Sequence, residues 1–264
     1  MELRVGKEPA YAYTGGKAFD PKLPVVVLIH GGDQDHSVWI LQSRYLAHHG
    51  HAVLAADLPG HGRSAGAPLA SIAAMADWTA ALLDAAKVDS AALIGHSMGS
   101  LVALECAARY PGRVARLALV GTAFPMRVSP ELLEATKNRE GDALLMINVW
   151  SHAAYAHYPG NPGPGSWVRG GALRLTQRQK PGVLHADFAA CDGYQAGLAR
   201  AARVQCPTLF LLAARDAMMS ARSGENLAKA VPHAIVKTLG DSGHNLMGEK
   251  PDEVLDALME FLRA

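Results

Sequence analysis

Continuous apolar runs alternate with helix-patterned stretches along most of the chain. The first run is Pro24 to Ile29, and similar ones recur at Ala52 to Ala56, Ala91 to Ile94, Val114 to Val120, Thr208 to Leu212 and Ala234 to Leu239. A run without polar interruption predicts a strand buried on both faces of a parallel sheet. Helical patterns separate them at Ser37 to His49, Ile72 to Ala86, Leu101 to Tyr110, Gly224 to Val231 and Pro251 to Leu262. The last is the clearest: Pro251 opens it, Asp252 and Glu253 occupy its first turn, and Val254, Leu255, Leu258, Phe261 and Leu262 share one face. Two shorter segments, Glu2 to Val5 and Ala10 to Tyr13, flank Gly6-Lys7-Glu8-Pro9 and predict a hairpin at the sheet edge. Strand and helix in alternation predict a doubly wound α/β sheet.

One connection breaks the rhythm. Roughly 85 residues separate Val120 from Thr208, where a plain helical crossover needs far fewer. Helical stretches at Pro130 to Thr136, Ala143 to Tyr155, Trp167 to Gln179 and Leu184 to Arg203 fill the interval. Pro159 to Gly165, stiff and polar, divides them as a hinge or surface loop. Because ligands of open α/β sheets bind beyond the strand C-termini, an insertion there is expected to be a lid. A bulky insertion that only thickens the fold is the alternative.

Composition narrows the partners. The chain has 264 residues, 50% of them apolar, and a formal net charge of +1, which argues against a surface dedicated to nucleic acid or anionic membrane. A small molecule is the expected partner. Cys106, Cys191 and Cys206 are unpaired in pattern and suggest a reducing compartment. The first residues lack the apolar core of a secretory signal and no apolar stretch approaches the length of a membrane span, so a cytoplasmic location is expected.

The chemistry centres on Gly95-His96-Ser97-Met98-Gly99, between an apolar strand pattern and a helical one. Glycines two residues either side of Ser97 let strand and helix approach closely, leaving the hydroxyl at the tip of a sharp turn. A serine hydroxyl needs an imidazole to take its proton and a carboxylate to orient that imidazole. Asp216 follows the strand ending near Leu212, and His244 follows the next one, in the order serine, acid, histidine. Asp241, close before His244, is a weaker candidate for the acid. The N–H of Met98 and that of Gly32, in His30-Gly31-Gly32-Asp33, are the expected oxyanion donors, with Asp33 as the second choice for the latter. Activity should fall as His244 takes up a proton.

Other residue sets compete for attention. His30, Asp33, Asp35 and His36 are all metal-ligand types, but Gly31-Gly32 and Trp39 suit an oxyanion loop entering a helix, and no metal is expected. His185, Asp187, Cys191 and Asp192 read as a polar helix surface. Arg169, Arg174 and Arg178 could meet a substrate carboxylate, although solvent-facing arginines are the commoner case. Met126, Met146, Trp150, Met218, Met219 and Met247 could wall an apolar pocket, or be plain core.

His30-Gly31-Gly32 with Trp39, Asp57-Leu58-Pro59-Gly60-His61-Gly62-Arg63-Ser64, the Ser97 pentapeptide, Asp216 and Gly243-His244 together resemble the α/β-hydrolase superfamily along essentially the whole chain. The Asp57 to Ser64 motif resembles the branch of esterases, carbon-carbon hydrolases, lactonases and cofactor-free haloperoxidases. The resemblance implies a mostly parallel eight-stranded sheet flanked by helices. It also implies a core of residues 1–122 and 204–264 and a helical cap over 123–203. It makes Ser97 the nucleophile, Asp216 the acid, His244 the base, and Gly32 and Met98 the oxyanion donors, with no cofactor. Serine at the elbow sets the chain apart from haloalkane dehalogenases and epoxide hydrolases, which carry aspartate. Methionine after it sets the chain apart from proline iminopeptidases. Ser100 and Asn245 depart from the usual carbon-carbon hydrolase pattern. The expected reaction is hydrolysis of a small carboxylic ester or lactone through an acyl-enzyme. Carbon-carbon hydrolysis of meta-cleavage type and a non-catalytic receptor are the alternatives, and oligomeric state is left open.

Overall fold

The computed structural model describes residues 1–157 and 167–263. Eight strands form one sheet: β1 (Glu2–Val5), β2 (Glu8–Tyr13), β3 (Val25–Ile29), β4 (Ala52–Ala56), β5 (Ala91–His96), β6 (Val114–Val120), β7 (Thr208–Ala213) and β8 (Ile235–Leu239). Their order in space is β1-β2-β4-β3-β5-β6-β7-β8. The first two form the expected antiparallel hairpin and join β4 antiparallel, and every later pairing is parallel. From β3 the chain goes to β4 on one side and then to β5 on the other. The loops leaving the C-terminal ends of β3 and β5 therefore diverge and open a crevice, the usual ligand position in such sheets. Every residue of β3, β4 and β5 is buried, as their unbroken apolar runs require, whereas β8 at the edge is largely exposed.

Alternation along each strand feeds two cores. Val27, Ile29 and Leu93 face α2 (Ile72–Ala85) and α3 (Met98–Arg109), whereas Val26, Leu28 and Ile94 face Trp39, α1 (Ile40–His48) and, with Leu258 and Phe261, the C-terminal helix. Between β6 and β7 run α4 (Pro130–Asn138), α5 (Glu140–Trp150), α6 (Val168–Thr176), α7 (Val183–Asp192) and α8 (Gly197–Ala201). Leu132, Ala135, Ala143, Leu144 and Leu184 form a small core of their own there. Ala190, Cys191, Tyr194 and Ala201 instead join the main core, so the second half of the insertion is tied to α3. Tyr194 Oη donates to Glu105 Oε2 at 2.8 Å, and Arg200 Nε to the same oxygen at 2.9 Å.

Several element boundaries differ from the expected ones, each for a local reason. The pattern from Ser37 to His49 divides into a 3-10 turn, His36–Trp39, and α1, because Asp35 accepts the N–H of Ser37 and tightens the entry. Leu184 to Arg203 breaks between Asp192 and Gly197. The helix expected from Gly224 is α9 (Ala221–Ala228), opened by the Ser220 hydroxyl accepting from Ser223 N. A short α10 (Leu246–Glu249) precedes α11 (Pro251–Arg263). The expected hinge from Pro159 to Gly165 lies outside the described residues.

Candidate active site

Ser97 stands between the last residue of β5 and the first of α3, with φ +51° and ψ −120°. That left-handed φ is costly for a residue with a Cβ, and it persists because the surroundings leave no alternative. A Cβ added to Gly95 would lie 2.0 Å from Gly99 O, and one on Gly99 would lie 2.5 Å from the carbonyl oxygens of both His30 and Ile29. The two glycines thus bring the N-terminus of α3 against the ends of β5 and β3. Ser97 N donates to Val120 O at 2.9 Å, and Ser100 Oγ bridges Ser97 O and Thr122 Oγ1, so the turn is pinned from both flanks. The N–H of Met98, at the first position of α3, has no acceptor among the described residues. Neither does that of Gly32.

Asp216 and His244 are in direct contact. His244 Nδ1 donates to Asp216 Oδ2 at 2.7 Å, and Asp216 Oδ1 accepts from Met218 N and Met219 N at 2.8 and 2.7 Å. The carboxylate side chain is 1% exposed, so this pair sits out of water with every acidic oxygen engaged. Asp241, the other acid considered, pairs with Arg215 on the surface at 2.7 Å. The rings of His96 and His244 approach to 4.8 Å between centroids, and His96 Nε2 donates to His244 O at 2.9 Å. Ser97, next in the chain after His96, is thereby brought to the end of the sheet where His244 and Asp216 meet. Burial, reinforced by His244, pushes His96 down to about 3, so it serves as a neutral donor.

The loop after β3 is more specialised than its sequence suggested. Gly31 N donates to Gln34 Oε1, and a Cβ on Gly31 would lie 3.0 Å from His96 Nδ1 and 3.3 Å from Ser97 Cβ. Asp33 N, the second choice for an oxyanion donor, is committed to Asp187 Oδ2 at 2.8 Å. His61 Nε2 donates to the same oxygen at 2.8 Å. Burial alone would lower the pKa of His61, but the Asp187 charge and hydrogen bond outweigh it and raise it. Asp187, expected on a polar helix surface, is in fact the buried tie between α7 and two loops of the sheet. Asp35, His36 and Asp57 offer ligand atoms within 4.8 Å of one another. Those atoms are already occupied: Asp57 accepts from His36 N, His36 Nδ1 and Arg63 N, and Asp35 from Ser37, Arg178 and Gln179.

A small cavity of about 50 Å³ opens beside these groups. His244, His96, Gly32 and Asp33 meet Asn148, Ser151, Thr176 and Phe188 of the insertion across it. Sequence reasoning missed Asn148 as a wall residue, since only the fold brings α5 over the loop after β3, and it missed Gln34 and Asn245, whose side chains carry no signal of their own beside Gly32 and His244. None of the six methionine and tryptophan candidates lines this cavity: Met126 and Met247 are buried in the two main cores. The three arginines considered for a substrate carboxylate do not line the cavity. Arg169 Nε donates to Asn148 Oδ1, Arg174 to Gln177, and Arg178 to Asp35. Two further contacts join the insertion to the His244 loop: Asn245 N donates to Ser151 O, and Glu249 Oε2 accepts from Ala153 N and Gly243 N.

A family model for the alpha/beta hydrolase fold matches residues 24–251, most of the chain. The chain belongs to that family. The hydrolase is 29% identical, over 90% of its length and 94% of the relative's, to a pimeloyl-[acyl-carrier protein] methyl ester esterase of Chromobacterium violaceum. It is also 29% identical, over 94% of its length, to the dihydrolipoyllysine-residue acetyltransferase component of an acetoin cleaving system of Pseudomonas putida, and spans 65% of that protein. The crystal structure of the enol-lactonase from Burkholderia xenovorans LB400 superposes with a TM-score of 0.87 at 22% identity, covering 100% of both chains, which is a likeness of fold. Family membership together with an esterase relative supports a hydrolase of esterase type. Among its described residues no helix is long and apolar enough to cross a membrane.

Proposed function

We propose that this hydrolase cleaves a small carboxylic ester or lactone through an acyl-enzyme on Ser97. The observation that carries the reading is the 2.7 Å contact of His244 Nδ1 with Asp216 Oδ2, one loop away from a serine held at φ +51° on a glycine-flanked turn. An acceptor on Nδ1 leaves the proton there and a lone pair on Nε2. In this reading Nε2 takes the Ser97 proton as Oγ attacks the substrate carbonyl carbon, while Asp216 stabilises the imidazolium. The carbonyl oxygen becomes negative between the N–H groups of Gly32 and Met98, neither of which has another acceptor among the described residues, and the α3 dipole favours that charge. Protonated His244 then gives its proton to the leaving alcohol. Water activated by the same ring attacks the acyl carbon, and Ser97 leaves with the proton returned.

The helices between β6 and β7 act as a cap in this scheme, because Asn148, Ser151, Thr176 and Phe188 close the cavity over His244. The small volume, walled on one side by Leu144, Ile147, Leu184 and Phe188, favours short acyl groups. The test is a panel of p-nitrophenyl esters of graded acyl length, with a fluorophosphonate probe on the folded protein. Turnover should be abolished by Ser97→Ala and the probe should label Ser97. A folded protein that neither reacts with the probe nor hydrolyses any ester would refute the reading and favour a receptor.

A further inference from the structure

Asp33 is an unusual residue to find on the wall of this cavity. It is 1% exposed, and neither of its carboxyl oxygens has a hydrogen-bond partner among the described residues. Its backbone is also in the left-handed region, with φ +55°. Buried polar atoms are nearly always paired, and an orphaned carboxyl on a strained backbone is retained at a cost that folding alone does not explain. The residue is next to Gly32, and its own N–H is fixed by Asp187 Oδ2, so the loop has little freedom to turn the side chain toward another partner.

We infer that Asp33 is a specificity-determining residue, whose carboxyl hydrogen-bonds a second, uncharged acceptor oxygen on the acyl part of the substrate. The inference rests on the ester-hydrolase reading and names the substrate class for that site: acyl groups carrying a ketone, ether or lactone oxygen besides the scissile carbonyl. Charge decides against a carboxylate in that place. The titratable groups around Asp33 are Asp187 from α7, Glu140 from the start of α5, His61 bonded to Asp187, His30 whose ring lies tilted against that of His61, and His96, His152 and His244 of the same cavity. Two of these are acids, and no lysine or arginine among the described residues lines the cavity. Burial pushes the Asp33 carboxyl up to about 9, with Asp187 and then Glu140 adding to it. At neutral pH the group therefore keeps its proton and is a donor, as an apolar site can require of an acid.

The experiment compares p-nitrophenyl 4-oxopentanoate with p-nitrophenyl pentanoate, which differ by one ketone oxygen. The KM of the wild type should favour the oxo ester by about fivefold, the usual worth of one neutral hydrogen bond. Asp33→Gly, which suits the positive φ, should bring that ratio close to one. Asp33→Asn should keep most of it, because an amide still donates and asparagine tolerates this backbone. In the wild type the preference should fade as pH rises through about 9, and in Asp33→Asn it should not. Calorimetry of 4-oxopentanamide and pentanamide on Ser97→Ala reads the same preference without turnover. An Asp33-dependent binding preference without hydrolysis would sink the hydrolase reading alone. Hydrolysis with a ratio indifferent to Asp33→Gly, or equal losses on both esters, would overturn the role given to Asp33.

Discussion

Gly95→Ala puts a single methyl group where strand and helix meet. Its Cβ would lie 2.0 Å from Gly99 O, 2.4 Å from Gly99 C and 2.7 Å from Ser100 N, all backbone atoms of the first turn of α3. Ordinary carbon contacts begin near 3.4 Å, so α3 must move by about 1 Å or more to admit the methyl. It cannot slide toward β3, because Gly99 already abuts the carbonyls of His30 and Ile29. Overpacking of this kind costs roughly 1–3 kcal/mol. Displacing Ser97 and the Met98 N–H by about 1 Å should cost on the order of 100-fold in kcat. Urea unfolding would measure the first effect and hydrolysis of a p-nitrophenyl ester the second. Gly112→Ala, where a Cβ meets nothing within 4 Å, is the control and should change neither. A Gly95→Ala protein with unaltered urea midpoint and kcat would refute the close-approach argument and the site built on it.

Other outcomes follow from single contacts. Asp216→Asn should keep the fold but present an N–H or a neutral oxygen to His244 Nδ1, lowering kcat by about 10³ to 10⁴ with KM less affected, as steady-state kinetics would show. Asp187→Asn removes the charged acceptor shared by His61 and Asp33 N and should destabilise by about 1–3 kcal/mol in urea melts. Because His61 is raised in the folded state, that stabilisation is complete below its unfolded value near 6.5 and is lost as pH rises through the folded one. The gap between wild type and Asp187→Asn should therefore narrow with rising pH. Arg178→Gln cuts the bonds that hold the end of α6 to Asp35. With the guanidinium half exposed, the loss should be about 1 kcal/mol or less, but limited proteolysis of the 177–181 segment should quicken. Burial alone would raise Asp35, and hydrogen bonds from Ser37, Arg178 and Gln179 hold it instead at about 2, so this link should persist in mild acid and weaken only as pH falls toward that value.

The strands and the principal chemical groups were legible in the sequence because they depend on short-range pattern. A short unbroken run of β-branched residues such as Val25 to Ile29 favours a strand covered on both faces, and glycines two residues either side of Ser97 have a steric reason before any coordinates exist. Asp216 and His244 could be named from their places after successive strands, and their contact is 2.7 Å. The edge hairpin and the helical insertion were likewise written in turn residues and spacing. Helix limits were less legible. A cap such as the Ser220 hydroxyl, or a tie such as Asp35 to Ser37 N, shifts a boundary by a few residues without changing the hydrophobic period.

Only the tertiary structure decided what surrounds those groups. Asp187 looked like solvent-facing polarity on a helix, yet α7 packs so that its carboxylate is wholly buried between Asp33 and His61. Arg178 read as a solvent-facing arginine or, less commonly, a partner for a substrate carboxylate, yet Asp35 holds it. Asn148 and Thr176 carry no local signal and become cavity walls because the insertion folds back over β3 and β5. The division has one physical origin. Backbone conformation and burial of a run are set by neighbours within a few residues, whereas hydrogen-bond partners, desolvation and the protonation of a carboxyl such as Asp33 are set by side chains that meet across more than a hundred positions.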